Sequence, residues 1–281
     1  MLEKIEMSGA VSHADRILIY GGEKVGKTTW AASVPGVLVV DLEGGLGRLV
    51  VPAVRPRCLE EFHVLLAELA AGTPEWSALA VDSLDRLEEM IWLAVCKREG
   101  WSTIESPGFG RGYVVAAEEW RKVLAGLDKI ARTVILVGHA QIKTYSNPAG
   151  DDYARYELRL AKQAIALAKA WVDSMLFARI EDLVVEGKAK TGRRVIRTVH
   201  AGAWDAGSRW GLPDPLPLNY AAYAETRDPA VSDAIAAIQA ITTVDELVAM
   251  MTQLKTAAPS LAAAIRDRAV ARMADLKGGD K

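Results

Sequence analysis

The sequence is poor in the features that mark disulfide-bonded proteins, proteins with cysteine-ligated metals and strongly basic proteins. It contains only two cysteines, Cys58 and Cys96, which lie far apart and lack the spacing of a metal site. We expect both to be reduced thiols packed as small hydrophobic residues. Lysine and arginine number 34 against 36 acidic residues. Global charge therefore does not indicate a nucleic-acid binder, although a local basic groove is compatible with it.

Long apolar runs are also missing. Residues 1–15 contain Glu3, Lys4 and Glu6 and have no apolar stretch of the kind found in signal peptides. No apolar stretch of the sequence is long enough to span a bilayer. These absences predict a cytoplasmic protein with no membrane partner.

The stretch GGEKVGKTT, at residues 21–29, matches the P-loop pattern G-x-x-x-x-G-K-[ST]. A buried strand is predicted just before it, at 16–20, and a helix just after it. Its glycines let successive backbone N–H groups and the helix N-terminus face a phosphate. Lys27 would reach the β- and γ-phosphates, and the Thr28 hydroxyl would coordinate Mg²⁺. We therefore predict a site for ATP and Mg²⁺; the alternative is a Gly-rich surface turn. The predicted nucleotide-binding residues are Gly21, Gly22, Glu23, Lys24, Val25, Gly26, Lys27, Thr28 and Thr29.

Short apolar runs alternate with helical patterns through the first half of the chain. This alternation predicts an α/β protein with a parallel central sheet flanked by helices. The predicted strands are 16–20, 37–40, 78–81 and 133–137, and the predicted helices between them are 28–33, 59–71, 84–98 and 114–132.

The pattern changes after His139. We predict a polar loop at 141–153, a helix at 158–171, and two antiparallel strands at 175–185 and 194–200. From about Asp228 the composition becomes Ala-rich and helical, with helices at 232–241, from Thr243, and at 260–276. The predicted domains are a core at 1–225 and a small helical appendage at 226–281.

Polar side chains follow three of the predicted strands, where they would surround a bound phosphate. Asp82 fits a second anchor for Mg²⁺, and a helix N-cap is its alternative role. Glu43 is predicted to activate the attacking water, with Asp41 as the alternative. His139 could hydrogen-bond the γ-phosphate; a purely structural histidine, or Gln141 in its place, is the alternative.

Together these residues resemble the RecA-like P-loop ATPase superfamily. The resemblance rests on GGEKVGKTT, VLVVDLEGG, LAVDS and VILVGHAQIK, and it covers roughly residues 14–215. It implies that Glu43 is the catalytic glutamate, that Asp82 is the Walker B aspartate and that His139 occupies the sensor position, where glutamine is common. Within the superfamily the chain looks most like phage-type single-strand annealing ATPases of the Sak-four group, through EGG, GFGRGY and H-x-Q. A phage-encoded member would work in the cytoplasm of the bacterial host.

The resemblance also implies two loops that bind single-stranded DNA, at about 100–112 and 141–155. Basic side chains interleaved with aromatic ones suit a sequence-tolerant groove. The alternative is a pair of ordinary mobile loops. The predicted DNA-binding residues are Arg111, Lys143, Tyr145 and Arg155. In contrast, Trp76, Trp92, Trp120 and Trp171 lie in or beside predicted helices and strands and are predicted to be core residues.

A basic turn at 187–194 suggests a finger that enters the active site of a neighbouring subunit. The predicted finger residues are Lys188 and Lys190, with Arg209 as a further candidate. A finger of this kind implies a homo-oligomer, either a ring or a filament. A solvated hairpin tip is the alternative.

Three hypotheses for the function follow. The first is an ATPase stimulated by single-stranded DNA, acting in recombination or annealing. The second is a loader or scaffold whose C-terminal helices bind a partner, such as a single-strand DNA-binding protein or a recombination protein. The third is a small-molecule kinase, which is disfavoured because the sequence lacks an Arg-rich lid segment.

Overall fold

The structure is a computed structural model, and it describes most of the chain. The described residues are 15–72, 76–130, 133–148, 150–181, 183–185, 188–190, 192–227, 229–257, 262, 265, 269–270 and 272–276. Within these residues no helix is both long enough and apolar enough to cross a membrane.

A ten-stranded sheet forms the centre of the molecule. The strands of the described chain are β1 (Asp15–Gly21), β2 (Val37–Asp41), β3 (Ala53–Val54), β4 (Ala78–Asp82), β5 (Thr133–Tyr145), β6 (Tyr153–Leu158), β7 (Ser174–Ile180), β8 (Leu183–Val185), β9 (Lys188–Lys190), β10 (Arg194–Arg197), β11 (Gly207–Ser208) and β12 (Leu216–Pro217). The main path of the large sheet runs in the order β12-β10-β7-β1-β5-β4-β2-β3. The strands from β7 to β3 on this path are all parallel, whereas β10 pairs antiparallel with both β7 and β12 at one edge.

Helices cover both faces of this sheet. Alternate residues of β1 belong to different cores. Leu18 and Tyr20 pack with the helices at 59–71, 84–99, 111–127 and 162–171, whereas Ile17 and Ile19 pack with the helices at 27–32 and 220–225. The predicted α/β class, with a mostly parallel central sheet flanked by helices, is therefore confirmed. The helices are α1 (Lys27–Ala32), α2 (Leu59–Ala71), α3 (Leu84–Glu99), α4 (Arg111–Leu127), α5 (Lys162–Trp171), α6 (Tyr220–Glu225), α7 (Pro229–Ala240) and α8 (Val244–Ala257).

The tryptophan prediction is confirmed. Trp120 and Trp171 are buried in the larger core, and Trp76 and Trp92 are partly buried against it. Both cysteines are free thiols, as predicted.

The prediction of a polar loop at 141–153 is wrong for 141–145 and for Tyr153, which belong to strands, and is confirmed for 146–148 and 150–152. The chain continues past His139 as part of β5, leaves the parallel sheet and pairs antiparallel with β6, with Lys143 opposite Arg155 and Tyr145 opposite Tyr153. The helix predicted from Leu158 begins only at Lys162, because Leu158 is the last residue of β6. We call β5 from Ala140 onward, together with β6, the β5–β6 hairpin.

Three further elements differ from the predictions. The strand predicted at 175–185 is interrupted: β7 ends at Ile180, and β8 pairs with β9 in a separate two-stranded sheet. The strand predicted at 194–200 ends at Arg197, and the helix predicted at 114–132 spans 111–127. The start of the helix predicted from Ser260 lies outside the described residues.

The C-terminal helices have a small apolar cluster of their own. Ile238 of α7, Leu247 and Met251 of α8, and Ile265 pack together. The helix before them, α6, instead contributes Tyr223 to the core of the sheet. The domain boundary at 225/226 stays a prediction.

Candidate nucleotide-binding site

The P-loop begins at the end of β1, where the strand is paired on both sides. Gly21 is the last residue of β1 and lies between His139 of β5 and Ala178 of β7. A Cβ atom at Gly21 would lie 2.1 Å from the carbonyl oxygen of Ala178, so only glycine fits there. Gly26, which precedes α1, has a φ of 116°, in the region that favours glycine.

Lys27 lies inside the loop that it follows. Its Nζ atom donates hydrogen bonds to the carbonyl oxygens of Gly21 at 3.0 Å and Gly22 at 2.7 Å. The side chain is buried, and burial lowers the pKa of Lys27 although the carboxylate of Asp82 opposes the shift. These bonds hold the ammonium group inside the loop that is predicted to bind phosphate.

The two predicted Mg²⁺ ligands are in direct contact. The Thr28 hydroxyl donates a hydrogen bond of 2.6 Å to Oδ2 of Asp82, at the end of β4. Asp82 is buried, and burial raises its pKa against the opposing effect of the Thr28 bond. A hydroxyl and a carboxylate oxygen are ligands that Mg²⁺ prefers, so this pair fits the ion.

Glu43 lies beside this pair on the loop that follows β2. Its Oε1 atom accepts a hydrogen bond from the Ser83 hydroxyl and lies 3.8 Å from Nδ1 of His139. The alternative residue, Asp41, is buried and accepts hydrogen bonds from the backbone N–H of Gly45 and from Arg55 Nε. The geometry therefore favours Glu43 over Asp41 as the carboxylate that faces a nucleotide.

Asp85 joins the site although the sequence analysis did not select it. Its Oδ2 atom accepts hydrogen bonds from the backbone N–H and from Nδ1 of His139, each at 3.0 Å. Its Oδ1 atom accepts one from Arg159 Nε at 2.7 Å. Burial alone would raise the pKa of Asp85, but the bonds from His139 and Arg159 outweigh burial and lower it. Asp85 lies three residues after Asp82 in the first turn of α3, and that spacing is the signal that could have revealed it.

Asp85 therefore holds His139 in place next to Glu43. One ligand atom from each of Glu43, Asp85 and His139 lies within 4.8 Å of the other two, so these residues could also hold a cation. The alternative sensor, Gln141, donates from Nε2 to the carbonyl oxygen of Leu158 at 3.3 Å, within the β5–β6 hairpin. This bond gives Gln141 a structural role in the hairpin.

A second cation approaches the P-loop from the antiparallel edge of the sheet. A Cβ atom on Gly26 would lie 3.2 Å from Leu218 Cδ2 and 3.6 Å from Arg194 Nη1. The backbone N–H of Leu218 donates to the carbonyl oxygen of Arg194, which holds the two residues together. Arg194 thus lies at the P-loop of its own chain.

The predicted DNA-binding residues are only partly suited to that role. Lys143 and Tyr145 are exposed on the β5–β6 hairpin, and Arg111 is exposed at the start of α4. The prediction for Arg155 is wrong: its side chain is buried, its Nη2 atom lies 2.5 Å from Oδ1 of Asp205, and its guanidinium covers the ring of Tyr145. An arginine held in this way is not available to a phosphate.

The predicted finger residues lie in or next to different strands of the chain. Lys188 and Lys190 belong to β9, and their side chains lie outside what the structure describes. Arg209 pairs with Asp173 at 3.1 Å, next to the amino-terminal end of β7. The P-loop follows the carboxyl end of β1, so Arg209 lies at the opposite ends of the parallel strands from the P-loop of its own chain.

One comparison with known proteins shows the family of the chain, and another finds a weak structural likeness. No curated protein matches the chain. Among solved structures it is similar to a KaiC-like protein from the hyperthermophilic archaeon Pyrococcus horikoshii, with a TM-score of 0.38, 14% identity, and coverage of 66% of this chain and 78% of that one. Residues 13–210 match the AAA_24 family, which is described as an AAA domain. This match spans more than half of the chain, so the protein belongs to the AAA_24 family of AAA domains and has the P-loop nucleotide-binding site of that class.

Proposed function

We propose that the protein is an Mg²⁺-dependent ATPase that acts on single-stranded DNA in recombination or annealing. The observation that carries the hydrolytic part is the position of Glu43. Its carboxylate lies next to Ser83 and His139, beside the Thr28–Asp82 pair that suits Mg²⁺. A carboxylate in this position can orient or deprotonate a water molecule for attack on the γ-phosphate.

The other residues of the site have separate roles in binding the phosphates, Mg²⁺ and the γ-phosphate. The backbone N–H groups of the P-loop and the Lys27 ammonium hold the phosphates. Thr28 and Asp82 would hold Mg²⁺, which supplies charge stabilisation for phosphoryl transfer when bound. His139, held by Asp85, is in place to hydrogen-bond a phosphate oxygen and to transmit its presence to the β5–β6 hairpin, which continues directly from it.

The surface near the site supports single-stranded DNA as the partner. Lys143 and Tyr145 are exposed on the hairpin that follows His139, and Tyr145 lies against Tyr153 with ring centroids 5.2 Å apart. Phe109 is fully exposed on the loop before α4, next to the exposed Arg111. Exposed cations and aromatic rings suit sequence-tolerant binding of a single strand. The motif GFGRGY in this loop supports membership in the phage-type annealing group.

We also propose that the protein assembles into a ring or filament. The β8–β9 hairpin carries Lys188 and Lys190 and is a separate two-stranded element that a neighbouring subunit could receive. The C-terminal helices, with their own apolar cluster, could bind a recombination partner.

ATP turnover with and without oligothymidylate at low salt, run beside a mass measurement of the assembly, tests this function. We expect Mg²⁺-dependent turnover that rises when the oligonucleotide is added. Turnover unchanged by saturating oligothymidylate would count against the DNA-dependent part. The absence of any turnover would count against hydrolysis itself.

A further inference from the structure

A cleft of about 660 Å³ begins at Asp85, in the nucleotide site, and runs outward along α3. Its other wall is the β5–β6 hairpin together with the segment leading into α5. Lys143 of the hairpin and Lys162 of α5 are exposed at its rim, and Arg159 lies between them and Asp85. The cleft thus connects the edge of the nucleotide site to a surface rich in cations.

The acidic residues of this cleft are already satisfied by the protein. Glu89 pairs with Arg86 at 2.6 Å, and both oxygens of the buried Glu88 accept from the backbone N–H of Ala161. In contrast, neither Lys143 nor Lys162 has an ion pair within the described part of the chain. The rim therefore presents positive charge to an incoming anion.

The same cleft contains an aromatic surface. Trp92 of α3 and Tyr113 of α4 line it, with ring centroids 5.6 Å apart at an angle of 74°. Neither residue is fully buried. Cations next to accessible aromatic rings match the two parts of a nucleotide, its phosphate and its base.

Arg159 connects this cleft to the nucleotide site through two hydrogen bonds. Its backbone N–H donates to the carbonyl oxygen of His139 at 2.8 Å, and its Nε donates to Oδ1 of Asp85 at 2.7 Å. The other oxygen of Asp85 holds His139. A phosphate that draws the Arg159 guanidinium into the cleft would weaken its bond to Asp85 and leave that carboxylate to interact more strongly with His139.

We propose that this cleft is the site where a single strand of DNA binds, with its phosphates at Lys143 and Lys162, and that Arg159 is a positioning residue that couples occupancy of the cleft to His139. This proposal rests on the DNA-dependent ATPase function proposed above. It replaces the buried Arg155 with residues that a phosphate can reach, and it gives the strand a physical connection to the γ-phosphate side of the site.

The location of the strand is tested with labelled oligothymidylate and the double variant Lys143→Ala/Lys162→Ala. Affinity should fall about tenfold at low salt, which corresponds to about 1.4 kcal/mol for the two lost charge contacts together. The salt dependence of log K should flatten by about 1.4, because each lost phosphate contact removes about 0.7 for a single strand. The matched control is Lys97→Ala/Lys129→Ala, which removes two exposed lysines away from the cleft.

Two negative outcomes are distinguishable in this experiment. If the wild-type protein binds oligothymidylate and the cleft variant binds it as tightly as the control does, the cleft is the wrong site although the proposed function stands. If the wild-type protein neither binds the oligonucleotide nor responds to it in turnover, both the proposed function and the cleft are overturned.

The coupling role is tested by the ratio of DNA-stimulated to basal ATP turnover. Arg159→Gln should bring this ratio close to one, with a smaller loss of oligothymidylate affinity than the double lysine variant. Arg159→Lys keeps a cation beside Asp85 and should retain most of the stimulation. Thermal unfolding of each variant is measured in parallel. A wild-type ratio in a folded Arg159→Gln variant would overturn the coupling.

Discussion

The hydroxyl of Thr28 and the carboxylate of Asp82 are joined by a 2.6 Å hydrogen bond, although 54 residues separate them in the chain. One residue lies in the first turn of α1 and the other at the end of β4. The contact shows that the two predicted Mg²⁺ ligands face the same point, at the edge of the sheet where the P-loop lies.

Loss of the Thr28 hydroxyl should impair Mg²⁺ use. Thr28→Val keeps the shape of the side chain but removes the oxygen, so it should raise the Mg²⁺ concentration needed for half-maximal ATP turnover. Thr28→Ser keeps the oxygen and should stay close to the wild type. The measurement is an Mg²⁺ titration of turnover. Overlapping titration curves for Thr28→Val and the wild type would contradict the assignment.

Replacement of Glu43 should separate ATP binding from hydrolysis. Glu43→Gln keeps the size of the side chain but cannot accept the proton of an attacking water, so turnover should fall roughly 10²- to 10⁴-fold. ATP affinity, measured with a fluorescent analogue, should change little. Glu68→Gln, at an exposed acid on α2, is the control. Wild-type turnover in Glu43→Gln would move the base to another residue.

Replacement of Lys27 should weaken nucleotide binding itself. Lys27→Met preserves chain length and burial but removes the charge-assisted hydrogen bonds to phosphate, each worth about 1.5–3 kcal/mol. We expect at least a tenfold loss of affinity for the fluorescent ATP analogue. Lys97→Met, at an exposed lysine on α3, should bind the analogue normally. Equal affinities for the two variants would reject Lys27 as a phosphate ligand.

Two adjacent glycines of the P-loop should respond differently to alanine. A Cβ atom at Gly21 would lie 2.1 Å from the oxygen of Ala178, whereas one at Gly22 would meet nothing within 4 Å. Gly21→Ala should therefore destabilise the fold by at least the roughly 1–3 kcal/mol typical of overpacking. Gly22→Ala should unfold at about the wild-type temperature. Thermal unfolding measured by circular dichroism compares them, and equal transition temperatures would contradict this description of β1.

The main nucleotide-site residues could be predicted from the sequence because the fold class determines where strand ends meet. Once the apolar runs predict a parallel sheet, Glu43, Asp82 and His139 must lie at the same edge as the P-loop. Asp85 lies at the same edge, but it belongs to the first turn of α3 and does not directly follow a strand. A search limited to strand ends therefore missed it. Arg159 could not be found because its position depends on a hydrogen bond to His139, made by tertiary contact.

The β5–β6 hairpin shows a different limit of sequence reasoning. Its residues are polar and lie between turn-forming segments, so their composition indicates a loop. These residues form strands because β5 and β6 pair antiparallel, which places Lys143 opposite Arg155. The burial of Arg155 depends on Asp205, which is distant in sequence and therefore gives no local signal.

Glu88 should make the stability of the protein depend on pH. Burial raises the pKa of its carboxyl from 4.5 to about 7, against the opposing effect of the hydrogen bond from the backbone N–H of Ala161. Below pH 4.5 the carboxyl is mostly protonated in both the folded and the unfolded chain, so the free energy of unfolding changes little with pH there. As the pH rises from about 4.5 to 7, the unfolded chain loses this proton first, and the free energy of unfolding falls, by up to about 3 kcal/mol.

Glu88→Gln stays neutral at every pH and should remove this dependence. Its stability relative to the wild type should therefore increase from pH 5 to pH 8, whatever constant effect the buried amide adds. Urea unfolding at several pH values measures the difference. Glu89→Gln, on the exposed neighbouring position of α3, controls for the loss of one acidic group from this helix. A stability difference for Glu88→Gln that stays constant across this range would show that Glu88 is ionised in the folded protein at pH 5, as an exposed carboxylate would be.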